Sequence, residues 1–155
     1  MMDGANPPRP PAPADVRVLI VDDDHAHAEM VGEFLRISGY SRVDHAPDLK
    51  TFWQRLDSCP EDPPYDIILM DYKLSDGTGL EALAQMSERG CQIPVVMVTG
   101  QGTERVAVQA IQQGAADYIL KSGEYLLTLP ALIQKTVQAH LLQRQVQESL
   151  KQIRY

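Results

Sequence analysis

The chain has 155 residues, 44% of them hydrophobic and 23% charged, enough for one compact domain around a single core. Its formal net charge of -7 argues against direct binding to nucleic acid or to an anionic membrane, because both demand a positive face that displaces counterions. The two cysteines, Cys59 and Cys91, have neither disulfide-framework nor zinc-ligand spacing, and the N-terminus lacks the pattern of a secretory signal. With no apolar run of membrane-spanning length, the expected setting is cytoplasmic, with reduced thiols.

Residues 1–14 carry five of the eleven prolines and almost no large apolar side chain, so they are expected to form an extended, largely disordered lead-in. From there short apolar runs alternate with amphipathic stretches. Val16 to Val21 reads as a β-branched strand ending in Asp22, Asp23 and Asp24. Ala26 to Ser38 shows helical apolar spacing through Met30, Val31, Phe34 and Leu35, stopped by Gly39. Arg42 to His45 is a weak strand, and Asp48 to Asp57 a helix with Leu49, Phe52, Trp53 and Leu56 on one face.

After a proline-rich loop, Asp66 to Met70 is a strand without polar alternation, ending at Asp71, as expected where both sheet faces are covered. Leu80 to Glu88 is a helix closed by Gly90. Pro94 to Val98 is a buried strand ending at Thr99, Val106 to Gln113 a helix closed by Gly114, and Asp117 to Leu120 a last strand ending at Lys121. Five β-α units with short connections predict a parallel sheet with helices on both faces, whose ligands bind beyond the carboxyl ends of the strands. Asp22, Asp71, Thr99 and Lys121 all fall there.

Three carboxylates from two strand ends, Asp22, Asp23 and Asp71, repel by roughly 4 kcal/mol per pair at ~4 Å if the effective dielectric is about 20. A hard divalent cation offsets this, and Mg²⁺ suits one or two carboxylates, a backbone carbonyl and retained waters, with Lys121 supplying the remaining charge. Such a site has the parts to accept a phosphoryl group. Asp71 is then the nucleophile, and Mg²⁺, Lys121 and the Thr99 hydroxyl each take one phosphoryl oxygen. Taken singly these residues have plainer readings: Asp24 as a helix N-cap, Thr99 as a cap for a helix beginning near Thr103, Lys121 as a solvated charge. Acidic pair, acid, hydroxyl and lysine in that order, at the ends of strands one, three, four and five, form the stronger pattern.

Val-Leu-Ile-Val-Asp22-Asp23-Asp24, Ile-Ile-Leu-Met-Asp71-Tyr-Lys-Leu-Ser-Asp-Gly77-Thr-Gly79, Val-Met-Val-Thr99-Gly100 and Gly114-Ala-Ala-Asp-Tyr118-Ile-Leu-Lys121 resemble the receiver domains of two-component response regulators, over about Val16 to His140. The resemblance implies an α/β, flavodoxin-like, doubly wound five-stranded parallel sheet in the order 2-1-3-4-5. It also implies phosphorylation by a histidine kinase or histidine phosphotransfer protein, with Mg²⁺ as cofactor. By motif Asp71 is the phosphoacceptor, Asp23 and Asp71 ligate Mg²⁺, Asp22 does so through water, and the carbonyl of Lys73 completes the set. Phosphorylation would draw Thr99 toward Asp71 and let Tyr118 turn inward, reshaping the surface of helix four, strand five and helix five; Tyr118 as a plain core residue is the alternative. Two positions depart from the family pattern, Ser122 where proline usually follows the lysine and Ser75 where proline commonly precedes the Asp-Gly turn.

His25 and His27 at a helix start do not share a face and read as exposed surface histidines. Gly100-Gln-Gly102 has no glycine at position 105, so it is no dinucleotide fingerprint. Leu129 to Ile153 predicts one helix of about 25 residues, roughly 38 Å, with Pro130 in its first turn. Leu132, Ala139, Val146 and Ile153, with Leu142 and Leu150 nearby, make a weak coiled-coil seam on it. His140 on this helix lacks the acidic neighbour of a phosphorylatable kinase histidine.

The expected organisation is a lead-in over 1–14, a receiver domain over 15–140 and a helical extension over 141–155 serving as coiled coil or linker. Its partners are a kinase or phosphotransfer protein and a downstream effector or removed output module, and homodimers form through the C-terminal helix or the face of helix four, strand five and helix five. The leading function is a signalling phosphoacceptor rather than an enzyme acting on other substrates. The alternatives are a phosphorylation-independent scaffold and a metal-dependent aspartate phosphatase. The haloacid-dehalogenase type of the latter has a threonine after its paired acids, which Asp22-Asp23-Asp24-His25-Ala26 lacks.

Overall fold

The computed structural model describes residues 9–58, 63–100 and 104–153. The first eight residues of the proline-rich lead-in, Cys59, Gly102 and Thr103 lie outside the described residues. Order begins slightly before the expected strand, at a 3₁₀ turn over Pro13–Asp15.

Among the described residues, seven strands and five helices follow in the order β1 Arg17–Val21, α1 His25–Ile37, β2 Arg42–Ala46, α2 Leu49–Ser58, β3 Ile67–Asp71, β4 Lys73–Leu74, β5 Gly77–Thr78, α3 Gly79–Glu88, β6 Val95–Thr99, α4 Glu104–Gln112, β7 Asp117–Leu120 and α5 Tyr125–Ile153. Five strands form a parallel sheet in the order β2-β1-β3-β6-β7, and β4 and β5 form a small antiparallel hairpin of their own. Counting only the sheet strands, this is the expected order 2-1-3-4-5 of an α/β flavodoxin-like fold. Every expected element is present to within two residues at each end apart from α5; the β4–β5 hairpin carries no hydrophobic period that would have announced it.

Successive residues of the central strands point to opposite faces, and both faces are covered. Val18, Ile20, Ile67, Leu69, Val96 and Val98 pack against Ala28, Val31 and Leu35 of α1 and Leu129, Ile133 and Val137 of α5. Leu19, Val21, Ile68, Met70, Val95 and Met97 pack against α2, α3 and α4 through Phe52, Ala82, Leu83, Met86 and Ala110. The weak strand β2 lies at the sheet edge, where its side chains alternate between exposed and partly buried, which accounts for its faint apolar signal. Helices stop where expected, as at Gly39 and Gly114, whose φ of 102° and 105° suit the left-handed turn that ends a helix.

Helix α5 begins four residues earlier than the sequence suggests, so Pro130 lies in its second turn rather than its first. A proline there forfeits the hydrogen bond to the carbonyl four residues back. The fully buried Tyr40 ties down the same turn, its hydroxyl donating to the Pro130 carbonyl at 3.1 Å. Leu132 also differs from expectation: it packs into the core beside α1, so the apolar seam is confined to the end of α5, where Leu142, Val146, Leu150 and Ile153 are exposed.

Candidate functional site

The loops at the carboxyl edge of the sheet bring the expected residues together. Asp22 follows β1, Asp71 ends β3, Thr99 ends β6 and Lys121 follows β7; because the strands are parallel, all four leave the sheet at one edge. Asp71 pairs with Val98, one residue before Thr99, and the Lys121 backbone N–H donates to the Thr99 carbonyl at 2.8 Å. Thr99 is buried, and the Lys121 side chain is largely so.

The Lys121 ammonium donates to Asp71 Oδ2 at 3.1 Å and to Asp22 Oδ2 at 3.2 Å, bridging β1 and β3 from the end of β7. One carboxylate oxygen each from Asp22, Asp23 and Asp71 lie within 4.8 Å of one another. Three acids thus face one lysine, a local excess of negative charge. The donor set is hard oxygen throughout, partly exposed at Asp23, and fits a hard divalent cation such as Mg²⁺.

Asp22 is the most heavily bonded of the three. Its Oδ1 accepts from the Asp24 N–H at 2.9 Å, its Oδ2 from Lys121 and from His27 Nδ1 at 2.7 Å, and its backbone carbonyl from His45 Nε2 at 2.8 Å. Burial opposes its charge, but these donors outweigh burial and hold its carboxyl below the usual carboxylate value. Asp71 behaves oppositely: burial dominates and, with the neighbouring Asp22 charge, pushes its carboxyl up against the pull of Lys121. Burial likewise disfavours the charge of Lys121, but Asp22 and Asp71 outweigh it and raise the lysine above its usual value.

The hairpin after Asp71 explains the Asp-Gly motif. Lys73 opens β4, and Asp76 at the turn reaches across to α2, accepting from the Leu49 and Lys50 N–H groups at 2.9 and 3.1 Å. Gly79 is pressed against the site: a Cβ there would stand 2.6 Å from the Asp71 carbonyl oxygen and 2.7 Å from Met97 Cε, so any side chain would displace the backbone of Asp71. Asp24 is the N-cap of α1, accepting from the His27 N–H at 3.1 Å, as its plainer reading held. Ser122 uses the N–H that a proline would lack, donating to the Leu120 carbonyl at 2.9 Å. Exposed Ser75 stands in the β4–β5 turn.

Tyr118 packs on the α2–α3–α4 side of the sheet. Its hydroxyl is buried with no hydrogen-bond partner among the described residues, and burial pushes the phenol up.

The expectation of two exposed surface histidines is half overturned. His25 is exposed, as read, but His27 is not a surface histidine: its side chain is 15% exposed and lies between Asp22 and the Tyr125 hydroxyl, which it contacts through Nε2. The two histidines differ because His25 opens the helix toward solvent while His27, two residues on, turns toward the sheet edge. Tyr125 opens α5, and burial together with the Asp22 and Asp71 charges pushes its phenol up to about 12. Spacing along α1 gave no sign of this contact, since its partners lie 5 and 98 residues away.

A cavity of about 520 Å³ lies at the opposite edge of the sheet between Trp53, Tyr65, Arg89, Ile93, His140 and Arg144. It includes none of the acids above. His140 is half-buried there, its imidazole pushed down by burial and by Arg144.

Comparison with known proteins agrees with this geometry. The family model described as response regulator receiver domain matches residues 18–128. The methanogenesis regulatory protein FilR1 of Methanothrix harundinacea is 33% identical over 128 residues, covering 81% of this chain and 28% of that protein. The phosphate regulon transcriptional regulatory protein PhoB of Escherichia coli K12 is 34% identical over 107 residues, 68% of this chain and 44% of that protein. The chain therefore spans less than half the length of either relative. Among solved structures, NtrX from Brucella abortus superposes with a TM-score of 0.74 at 25% identity, over 89% of this chain and 31% of that one. With a family model matched across nearly the whole sheet and the acids, hydroxyl and lysine gathered at one edge of it, the chain belongs to the response regulator receiver domain family, the phosphoacceptor modules of two-component signalling.

Proposed function

We propose that Asp71 is the phosphoacceptor of this receiver, that Asp22, Asp23, Asp71 and the backbone carbonyl of Lys73 hold Mg²⁺, and that Lys121 and Thr99 complete the catalytic set. The observation that carries the reading is the Lys121 ammonium bridging Asp22 and Asp71 inside a cluster of three acids. Asp23 and Asp71 would hold the cation directly, and Asp22, whose oxygens already accept three hydrogen bonds, would do so through water. When bound, Mg²⁺ neutralises charge on the phosphoryl oxygens.

An Asp71 carboxylate oxygen attacks phosphorus, the bond from phosphorus to the donor breaks, and the donor leaves with that electron pair. Lys121 follows the transferred charge, exchanging a carboxylate for a phosphoryl oxygen, and the Thr99 hydroxyl donates to another. Thr99 and Tyr118 form the switch: movement of Thr99 toward the phosphoryl group leaves room beside β7 for Tyr118, whose unpartnered buried hydroxyl gains by any rearrangement that offers it an acceptor.

The phosphodonor is a histidine kinase or histidine phosphotransfer protein, and the recipient of the signal is an effector protein or an output module linked to α5. The exposed apolar side chains Leu142, Val146, Leu150 and Ile153 on the last turns of α5 suit a homodimer seam or a linker, beyond a receiver unit ending near residue 140. The face of α4, β7 and α5 is the other candidate surface for self-association. No helix of the described residues is long and apolar enough to cross a membrane, which suits a cytoplasmic signalling role.

Incubation of the chain with Mg²⁺ and acetyl phosphate, read by intact mass, tests the assignment. The expected result is the addition of one phosphate, lost in Asp71→Asn and without Mg²⁺. A wild-type chain that gains no mass, or an Asp71→Asn chain that gains as much, overturns it.

A further inference from the structure

Asp22 is held by more than the lysine. His27 reaches it from the first turn of α1 with Nδ1 2.7 Å from Oδ2, the same oxygen that accepts from Lys121. A carboxylate only accepts, so Nδ1 carries a proton and donates it to Asp22, while Nε2 meets the Tyr125 hydroxyl. The two rings lie nearly parallel, 19° apart with centroids at 5.8 Å. Val31 and Leu129 pack beneath them, one from each helix, around a cavity of about 10 Å³, room for about one water. The imidazole is thus fixed at both nitrogens, by an acid from the end of β1 and by a phenol from the start of α5.

We propose that His27 is a positioning residue of the cation site, which with Tyr125 as its support fixes the Asp22 carboxylate toward the space shared with Asp23 and Asp71. The inference rests on the reading above for the identity of the cation. Removing the Nδ1 donor leaves Asp22 Oδ2 with Lys121 alone, and the carboxylate then follows the lysine rather than facing the cation. Residues that orient a ligand in this way typically change metal affinity by about 10- to 100-fold when lost. Removing only the Tyr125 hydroxyl keeps the bond to Asp22 but frees the ring to rotate, a smaller loss.

The test is calorimetric titration of the full chain with Mg²⁺, with thermal unfolding of the metal-free protein measured alongside. His27→Leu is expected to weaken Mg²⁺ binding by about 10-fold or more. His27→Asn, whose amide nitrogen takes the place of Nδ1, restores most of the affinity, and Tyr125→Phe falls between Asn and wild type. A purely structural role would lower the unfolding temperature and leave the Mg²⁺ affinity of the folded protein unchanged. Wild-type affinity in His27→Leu overturns the inference, as does equal weakening in the Leu and Asn variants. Either result leaves the phosphoacceptor reading intact if the wild type still binds Mg²⁺ and takes up phosphate, whereas a wild type that binds no Mg²⁺ overturns both.

Discussion

Acid–base pairs join β1 to β3 at both edges of the sheet, and they are built differently. At the amino edge, Arg17 donates to Asp66 through Nε at 3.2 Å, Nη2 at 3.1 Å and its backbone N–H at 2.8 Å, while the Asp66 N–H returns a bond to the Arg17 carbonyl at 2.9 Å. Among the described residues one arginine meets one acid here, through a fork of side-chain donors and a backbone bond in each direction. At the carboxyl edge Lys121 faces Asp22, Asp71 and the nearby Asp23, so the acids outnumber the base. A balanced pair holds strands together; an unbalanced cluster stores repulsion that a cation relieves.

The comparison is tested most strongly by removing each base. Lys121→Met is expected to slow phosphorylation by acetyl phosphate by about 100- to 1000-fold, the usual cost of losing one preorganised donor to a developing charge. Arg17→Met should leave that rate at the wild-type value, both read by time-resolved intact mass. Arg17→Met should instead lower stability by about 2 kcal/mol in urea unfolding, because it strands a partly buried carboxylate.

A gentler test makes the same isosteric change at both edges. Without Mg²⁺, Asp71→Asn is expected to stabilise the protein by about 1 kcal/mol, since burial and Asp22 already push that carboxyl toward its neutral form. Asp66→Asn should destabilise by about 1 kcal/mol, because it weakens a charge-assisted fork. Equal signs in urea unfolding would mean that the carboxyl-edge cluster is not under repulsion.

The smallest effect is a pH slope. Asp71 is raised in the folded protein, so between the usual value of 3.8 and its folded value the folded chain keeps a proton that the unfolded chain has released. Its contribution is full below 3.8 and is lost as pH rises through the folded value. Asp22 is lowered, and its contribution is present above 3.8 and lost as pH falls through its folded value, a separate and more acidic window. In metal-free protein, comparison of wild type with Asp71→Asn isolates the first window. The difference between their stabilities should grow as pH rises through it and shrink when Mg²⁺ is added.

Most of the architecture was legible because parallel strands buried on both faces must be continuous apolar runs, and helices between them must show one apolar stripe. The site was legible for a related reason: a parallel sheet delivers the residue after each strand to a common edge, so Asp22, Asp71, Thr99 and Lys121 could be placed from their positions alone. The short β4–β5 hairpin was not, because two-residue strands have no period. Pro130 was misplaced by a turn because packing of α5 against α1 extends the helix beyond where its own apolar spacing begins.

By itself, then, the order of residues determined the alternation of strands and helices, the edge at which chemistry gathers and the identity of the groups there. Only the tertiary structure decided how those groups are held. His27 reaches Tyr125 because α1 packs beside α5, and Asp76 caps α2 because the hairpin after Asp71 folds back over it. Hydrogen bonds between distant segments depend on where helices come to rest on the sheet, and periodicity within one segment contains no information about that.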